Sequence, residues 1–203
     1  MEKENESIEE LIEKKNFEKK ESGWQVFWEL TRFTIIAIAI VIPIRIFIAQ
    51  PFIVSGSSMS PTFENGQYLI VDEISYKLKE PQRNDVVIFK YPNDTKKFFI
   101  KRIIGLPNET IKIKENNVTI INKENPDGFM LDQSYVKNTS KNSNLIFELK
   151  NNEYFVMGDN RSASSDSRSW GAVPEKLLVG KAFLRLLPIN KISILPGNYK
   201  QIE

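Results

Sequence analysis

From Phe33 to Ala49 the chain reads FTIIAIAIVIPIRIFIA, a run of Ile, Ala, Val and Phe broken chiefly by Pro43 and Arg45. Written as a helix rising about 1.5 Å per residue, it falls slightly short of the roughly 30 Å of a bilayer core. Extending it back to Trp24, Phe27 and Trp28 supplies the missing length and puts aromatic rings where a membrane meets water. A helix buried in a globular core would carry a polar stripe at helical spacing, and none is visible. A cleaved signal peptide would have a short basic head and a small-residue cut site, whereas this run follows a long Glu-rich stretch with no A-x-A behind it. The pattern predicts a polar tail over 1–23 and a single membrane anchor over 24–50, with Arg45 near the far end, where it can snorkel toward lipid phosphates. Lys14, Lys15, Lys19, Lys20 and Arg32 precede the apolar run, and after Arg45 no Lys or Arg occurs until Lys77. Positive residues stay inside, so the N-terminus is expected in the cytoplasm and residues 51–203 outside it, on a single-pass protein of the inner or plasma membrane.

Beyond the anchor the sequence turns to β patterning. QYLIVDEI, DVVIFKY, KFFIKRIIG, ETIKIK, NVTIIN and EYFVMG are short, rich in Ile, Val, Phe and Tyr, and separated by Pro, Asn or Gly. Residues 114–150 are Asn-, Lys- and Ser-rich and read as a small insertion between core strands. LLVGKAFLRLLPINKISIL is apolar, but Lys181, Arg185, Pro188 and Lys191 disqualify it as a second span and leave it as strand, placed to touch the membrane surface. The expected class is mainly β: one transmembrane helix, then an antiparallel β-rich domain. A net charge of +2, without a basic stripe bearing interleaved aromatics, gives no ground for a nucleic-acid partner.

The chemistry is constrained by what is missing. With no Cys and no His there is no disulfide, thiol nucleophile, imidazole base or Cys/His zinc site. No metal or cofactor is expected. Hydrolysis would have to run on Ser, Thr, Lys, Tyr or carboxylates. VSGSSMSPTF, Val54 to Phe63, offers serines just past the anchor, but many such stretches are only loops. If one is a nucleophile, the available base is a lysine whose pKa burial has lowered from near 10.4 toward 7–8. KFFIKRIIGLP contains one. Lys101 sits among Phe98, Phe99, Ile100, Ile103 and Ile104, although a lysine on the wet face of a half-buried strand fits this stretch alone equally well. GDNRSASSDSRSWG, Gly158 to Gly171, packs two Asp, two Arg and a Trp behind an apolar strand. There Asp166 and Arg168 can pair to pin the loop, and Ser164 can hydrogen-bond a neutral lysine amine.

Four stretches behind an N-terminal anchor resemble type I signal peptidase, the membrane-bound Ser/Lys protease of peptidase family S26: GxSMxPT at 56–62, RxDVVIFKYP at 83–92, IKRIIGLP at 100–107 and GDNRxxSxDSRxWG at 158–171. The resemblance implies an antiparallel catalytic core with a small inserted subdomain. It implies Ser58 as nucleophile, Lys101 as general base, Ser164 as hydrogen-bond partner of that lysine, Asp166 with Arg168 as a supporting ion pair, and Gly158 in the turn beside the site. Pocket walls fall by motif position on Phe52, Val54, Met59, Ile88, Phe99 and Ile100. The implied substrates are signal-peptide-bearing preproteins cut after small residues of Ala-X-Ala type, at the surface of a lipid bilayer, by a monomer. Some members place a serine hydroxyl two positions before the nucleophile as an oxyanion donor; this chain has Gly56 there, which leaves the Ser58 N–H as the principal donor. Asn84 and Asn108 stand where the family pattern has Gly, and Asn tolerates the left-handed backbone such turns need.

Two other readings use the same residues. A self-cleaving repressor-like Ser/Lys protease shares the chemistry but would carry an N-terminal DNA-binding module in place of the anchor. A membrane-anchored β domain that only binds partners would have lost Ser58 or Lys101, and both are present.

Overall fold

The structure, a computed structural model, describes residues 23–43, 49–139 and 143–199; the tail ahead of Gly23, as well as Arg45, lies outside them. The chain divides into two units, Met1–Ile46 and Phe47–Glu203.

In the first unit the apolar run forms helix α1, Gly23–Pro43. Its stretch Gly23–Ile42 has a mean hydropathy of 1.7 and is long and apolar enough to cross a membrane, with none of it buried inside the protein. Trp24, Phe27, Trp28 and Phe33 all point outward. The hydroxyls of Thr31 and Thr34 donate to the carbonyls of Phe27 and Leu30, each 2.8 Å away and one turn back, so neither is left bare on an apolar surface. The helix is shorter than the anchor expected over 24–50. Its described part runs to Pro43, and Ala49 and Gln50, which the expectation placed in the anchor, belong to a strand.

The second unit is antiparallel β. Strands β1 (Ala49–Ile53), β2 (Tyr68–Asp72), β3 (Val86–Tyr91), β4 (Asp94–Gly105), β9 (Glu153–Met157), β10 (Val173–Pro174) and β11 (Leu178–Leu187) form a sheet in the order β1-β2-β11-β3-β4-β9-β10, with β12 (Ser193–Ile194) paired to β11. A second sheet, β7-β6-β5-β8, is built from β5 (Thr110–Glu115), β6 (Asn117–Ile121), β7 (Phe129–Met130) and β8 (Ser143–Glu148). It begins at Thr110, ahead of the 114 suggested by composition. Ile111, Ile113, Val118 and Ile120 of this sheet share a core with Ile104 of β4 and with Phe155 and Met157 of β9. Two short helices, α2 (Ser75–Leu78) and α3 (Ser167–Trp170), lie in connections. Asn84 and Asn108 adopt φ of 71° and 65°, the left-handed region that their turns require.

Strand β4 is the hinge of the design. Its first half is largely exposed and its second half buried, and period-2 alternation sends Lys101 and Arg102 to opposite faces. Arg102, 1% exposed, donates through Nε and Nη2 to the two carboxylate oxygens of Asp159 at 2.8 and 2.6 Å. Its Nη1 reaches the carbonyls of Asn84 and Gly197 at 2.9 and 2.7 Å, and its guanidinium lies 4.2 Å over the Tyr135 ring. Thr62 adds a 2.6 Å hydrogen bond to Asp159. Every charge in this cluster is answered, which is the condition for burying charge at all. Removing one partner strands the other, so Asp159→Ala is expected to lower unfolding free energy by about 3–5 kcal/mol. The check is a urea titration of the full chain, with Lys191→Ala, which breaks a half-exposed surface pair with Glu64, leaving the midpoint unmoved.

Candidate active site

Ser58 sits in the loop that joins β1 to β2. The ladder continues past β1 through Val54 N to Gln67 O and Gly66 N to Val54 O, both 2.9 Å, which closes the loop at its base. Met59 and Phe63, 1% and 0% exposed, plug its interior into a cluster with Leu69, Val71, Val86 and Ile88. The backbone folds tightly around the serine: Ser60 N donates to Ser57 O at 3.1 Å, and Gly56 N is engaged by Asn65 Oδ1 at 2.9 Å. Among the described residues nothing accepts a hydrogen bond from the Ser58 N–H.

Lys101 meets Ser58 from β4. Its Nζ lies 2.7 Å from Ser58 Oγ and 2.9 Å from its own neighbour's carbonyl, Ile100 O, with the Phe99 ring 5.3 Å away. The residue is 4% exposed. Burial pushes its pKa down to about 8; Asp166 and Asp159 pull the other way, and burial prevails. About one amine in ten is then neutral at pH 7, against fewer than one in a thousand for a free lysine. A neutral amine can take the hydroxyl proton along the same 2.7 Å contact.

The segment after β9 packs beneath this pair. Asp166, 1% exposed, is gripped by Arg168 through Nε to Oδ1 and Nη2 to Oδ2, both 2.8 Å, and accepts from Gly158 N at 3.0 Å. Arg168 Nη2 also reaches Arg161 O at 2.7 Å, so the ion pair ties the loop to its own beginning. Ser164 lies against Gly158, but its buried hydroxyl has no partner among the described residues: the Lys101 amine is turned to Ser58 and Ile100 instead. The expected Ser164–Lys101 hydrogen bond is therefore absent from this geometry.

A cleft of about 410 Å³ opens at the pair. Phe52, Val54, Ile88, Phe99 and Ile100 line it, together with Ser58 and Lys101. Met59 does not; the chain turns at Ser58–Met59, and its side chain goes into the core beneath the loop. Leu69, Phe98, Ala163 and Ser165 also line the cleft, and sequence reasoning missed them because strand register brings the first two there and the packing of the loop after β9 brings the other two. It also left Arg102, Asp159 and Asn160 without roles. The available signal was Arg102, a cation next to Lys101 in an apolar strand, which alternation must bury on the other face and which therefore needs an acidic partner.

The profile of a family described as "Signal peptidase, peptidase S26" matches residues 27–187. A probable signal peptidase I-2 of Synechocystis is 36% identical over 92% of this chain and 85% of its own length. A signal peptidase I V of Bacillus subtilis is 38% identical over 76% of this chain and 94% of its own. A crystal structure of a signal peptidase I from Enterococcus faecalis covers 51% of this chain and 97% of its own, at 31% identity and a TM-score of 0.43.

Gly158 is the tightest point of the arrangement. A Cβ built there would lie 2.3 Å from Ser164 Oγ and 2.4 Å from the backbone oxygen of Ser58. Backbone cannot yield as a flexible side chain does, so Gly158→Ala has to displace the Ser58 peptide. Since misplacement of about 1 Å costs on the order of a hundredfold, peptide hydrolysis by this variant is expected to fall by about that factor. The check is cleavage rate alongside Lys101 titration by NMR, with the midpoint remaining near the wild-type value.

Proposed function

This chain belongs to the signal peptidase family, peptidase S26, and from that premise we propose that it is a serine endopeptidase that removes signal peptides from exported preproteins with a Ser58/Lys101 dyad. The observation that carries the reading is the 2.7 Å contact between Ser58 Oγ and the amine of a buried lysine whose pKa is lowered to about 8. Neutral Lys101 accepts the Ser58 proton as Oγ attacks the scissile carbonyl carbon. The oxyanion formed is met by the free Ser58 N–H. Collapse breaks the C–N bond, and the Lys101 ammonium returns its proton to the departing amine, leaving an ester on Ser58. Water then attacks the ester, giving its proton to Lys101, and Ser58 leaves with that proton restored.

The cleft suggests how substrate is held. Residues 98–102 of β4 pair with β3 on one side, while pairing with β9 starts at Arg102, so the other edge of Phe98–Lys101 carries no strand among the described residues. The outer edge of β1 is likewise the end of its sheet. An extended peptide can enter beside these edges by strand addition, its side chains alternately facing Phe52, Val54, Ile88 and Ile100. Small residues flanking the cut fit such a shallow apolar wall, which is the basis for the proposed Ala-X-Ala preference. Helix α1 would anchor the enzyme in a plasma or inner membrane with its N-terminus in the cytoplasm and residues 51–203 outside. Tethered there as a monomer, it would share one surface with the signal peptides it cuts, raising their effective concentration.

Cleavage of a preprotein in detergent or lipid tests the assignment. Ser58→Ala and Lys101→Met are each expected to lose at least about a thousandfold in kcat, as removal of a nucleophile or its base does. Near-wild-type processing by either variant would sink the dyad. Because the base acts only when neutral, log(kcat/KM) is expected to rise with pH up to a bend near 8 and level off above it, falling about tenfold per unit below. A profile flat from pH 5 to 9 would count against a lysine base.

A further inference from the structure

Asn160 grips the nucleophile's backbone on both sides. Its main-chain N–H donates to Ser58 O at 3.0 Å, and its side-chain Nδ2 donates to Ser57 O at 3.1 Å. The second contact acts on the oxyanion site. Ser57 C=O and Ser58 N–H belong to one planar trans peptide and point in opposite directions, so fixing the carbonyl fixes the N–H. That N–H is unclaimed by any acceptor among the described residues, and position 56 offers no hydroxyl to share its task. Gly56 cannot substitute with its own N–H, which is held by Asn65 at 2.9 Å.

The amide is itself held. Ser162 Oγ donates to Asn160 Oδ1 at 3.1 Å, which turns Nδ2 toward Ser57. Asn160 is 7% exposed. Its backbone is braced by Arg161, which donates through N to Asn138 O at 2.9 Å and through Nε to Gly158 O at 3.1 Å. The site thus has a rigid post behind the peptide plane whose direction matters most in the transition state.

Resting on the signal-peptidase reading above, we propose that Asn160 is a positioning residue of the oxyanion site: its side-chain amide, beside the Ser60 N–H that donates to the same Ser57 oxygen at 3.1 Å, orients the Ser57–Ser58 peptide so that the Ser58 N–H faces the developing oxyanion. It touches no substrate. A group acting this way influences charge developed in the transition state and leaves ground-state peptide binding alone.

The test uses the full chain in detergent, with Asn160→Ala and the isosteric Asn160→Asp, which keeps the side chain's shape and the backbone hydrogen bonds. Loss of an oxyanion donor costs roughly 100–1000-fold, and misdirecting one that remains is expected to cost about tenfold in kcat, with KM for a preprotein within about twofold of wild type. A peptide aldehyde, to which Ser58 Oγ adds to form a tetrahedral hemiacetal, is expected to bind Asn160→Ala weaker by the same factor as the kcat loss, while the cleaved signal peptide binds unchanged. The pH bend of Asn160→Ala is expected to stay at the wild-type value, separating a positioning effect from a change at Lys101. Wild-type kcat in both variants, or a loss that appears in KM and in product binding while aldehyde binding is spared, overturns the proposal. Should Asn160→Ala fail to fold, Asn160→Asp read at the plateau of its own pH profile decides by the same criteria. Failure of wild type itself to cut any preprotein would refute the underlying reading, whereas active wild type with fully active Asn160 variants refutes this inference alone.

Discussion

Two adjacent cations on one strand are buried and treated oppositely, and the rest of the catalytic unit is arranged around that difference. Arg102 is met by both oxygens of Asp159 and by two carbonyls, so its charge is fully compensated. Lys101 receives a hydroxyl and one carbonyl, with no carboxylate in hydrogen-bond contact. A buried charge with full partners persists; one without them gives up its proton more readily. The lowering of Lys101 from 10.5 to about 8 corresponds to roughly 3 kcal/mol of disfavoured ammonium. The fold has to supply that penalty elsewhere, and the neighbouring Arg102–Asp159 pair ties the opposite face of the same strand to the loop after β9.

The segment from Gly158 to Arg168 connects these two environments. Asp159 faces Arg102, Asn160 holds the Ser57 and Ser58 carbonyls, and Asp166 receives the Gly158 N–H while paired with Arg168. Residues from both ends of one short loop therefore brace Ser58, the strand that carries Lys101, and each other. Gly158 permits this because no side chain intervenes between the loop and the Ser58 backbone. Such interlocking makes the site intolerant of small displacements, a property expected where donors must be placed before charge develops.

How far the sequence disclosed this depended on whether a feature was local. Lys101 was reachable as a candidate by elimination, since a chain without His or Cys leaves few bases, whereas the choice of Ser58 among Ser55, Ser57, Ser58 and Ser60 rested on the family resemblance. Asn84 and Asn108 were readable as left-handed turns because the family pattern has Gly there and Asn tolerates that backbone, and they have φ of 71° and 65°. The apolar run announced a helix, but its Ile-rich end is equally suited to a strand, and pairing of Ala49–Ile53 with Tyr68–Asp72 is a long-range fact that no local pattern carries. Met59 drew a pocket role from its place beside Ser58, and the turn of the backbone sends it into the core instead. Leu69, Ala163 and Ser165 reach the cleft through register and loop packing, and Asp159 reaches Arg102 across a separation that sequence spacing does not measure.

The acidic residues nearest Lys101 show why one lysine suffices where histidine is missing. Asp166 and Asp159 both favour the charged amine, and burial outweighs them. Each is bound in bidentate fashion by an arginine, Arg168 and Arg102, so that the amine meets compensated ion pairs rather than free anions. Structural anchoring and the surroundings of Lys101 meet in these pairs: the arginines that pin the loop occupy both oxygens of the carboxylates that favour the charged amine. A guanidinium suits this because it stays charged at any working pH and engages both carboxylate oxygens at once, whereas a lysine in its place would offer a single point contact and leave one oxygen facing the base.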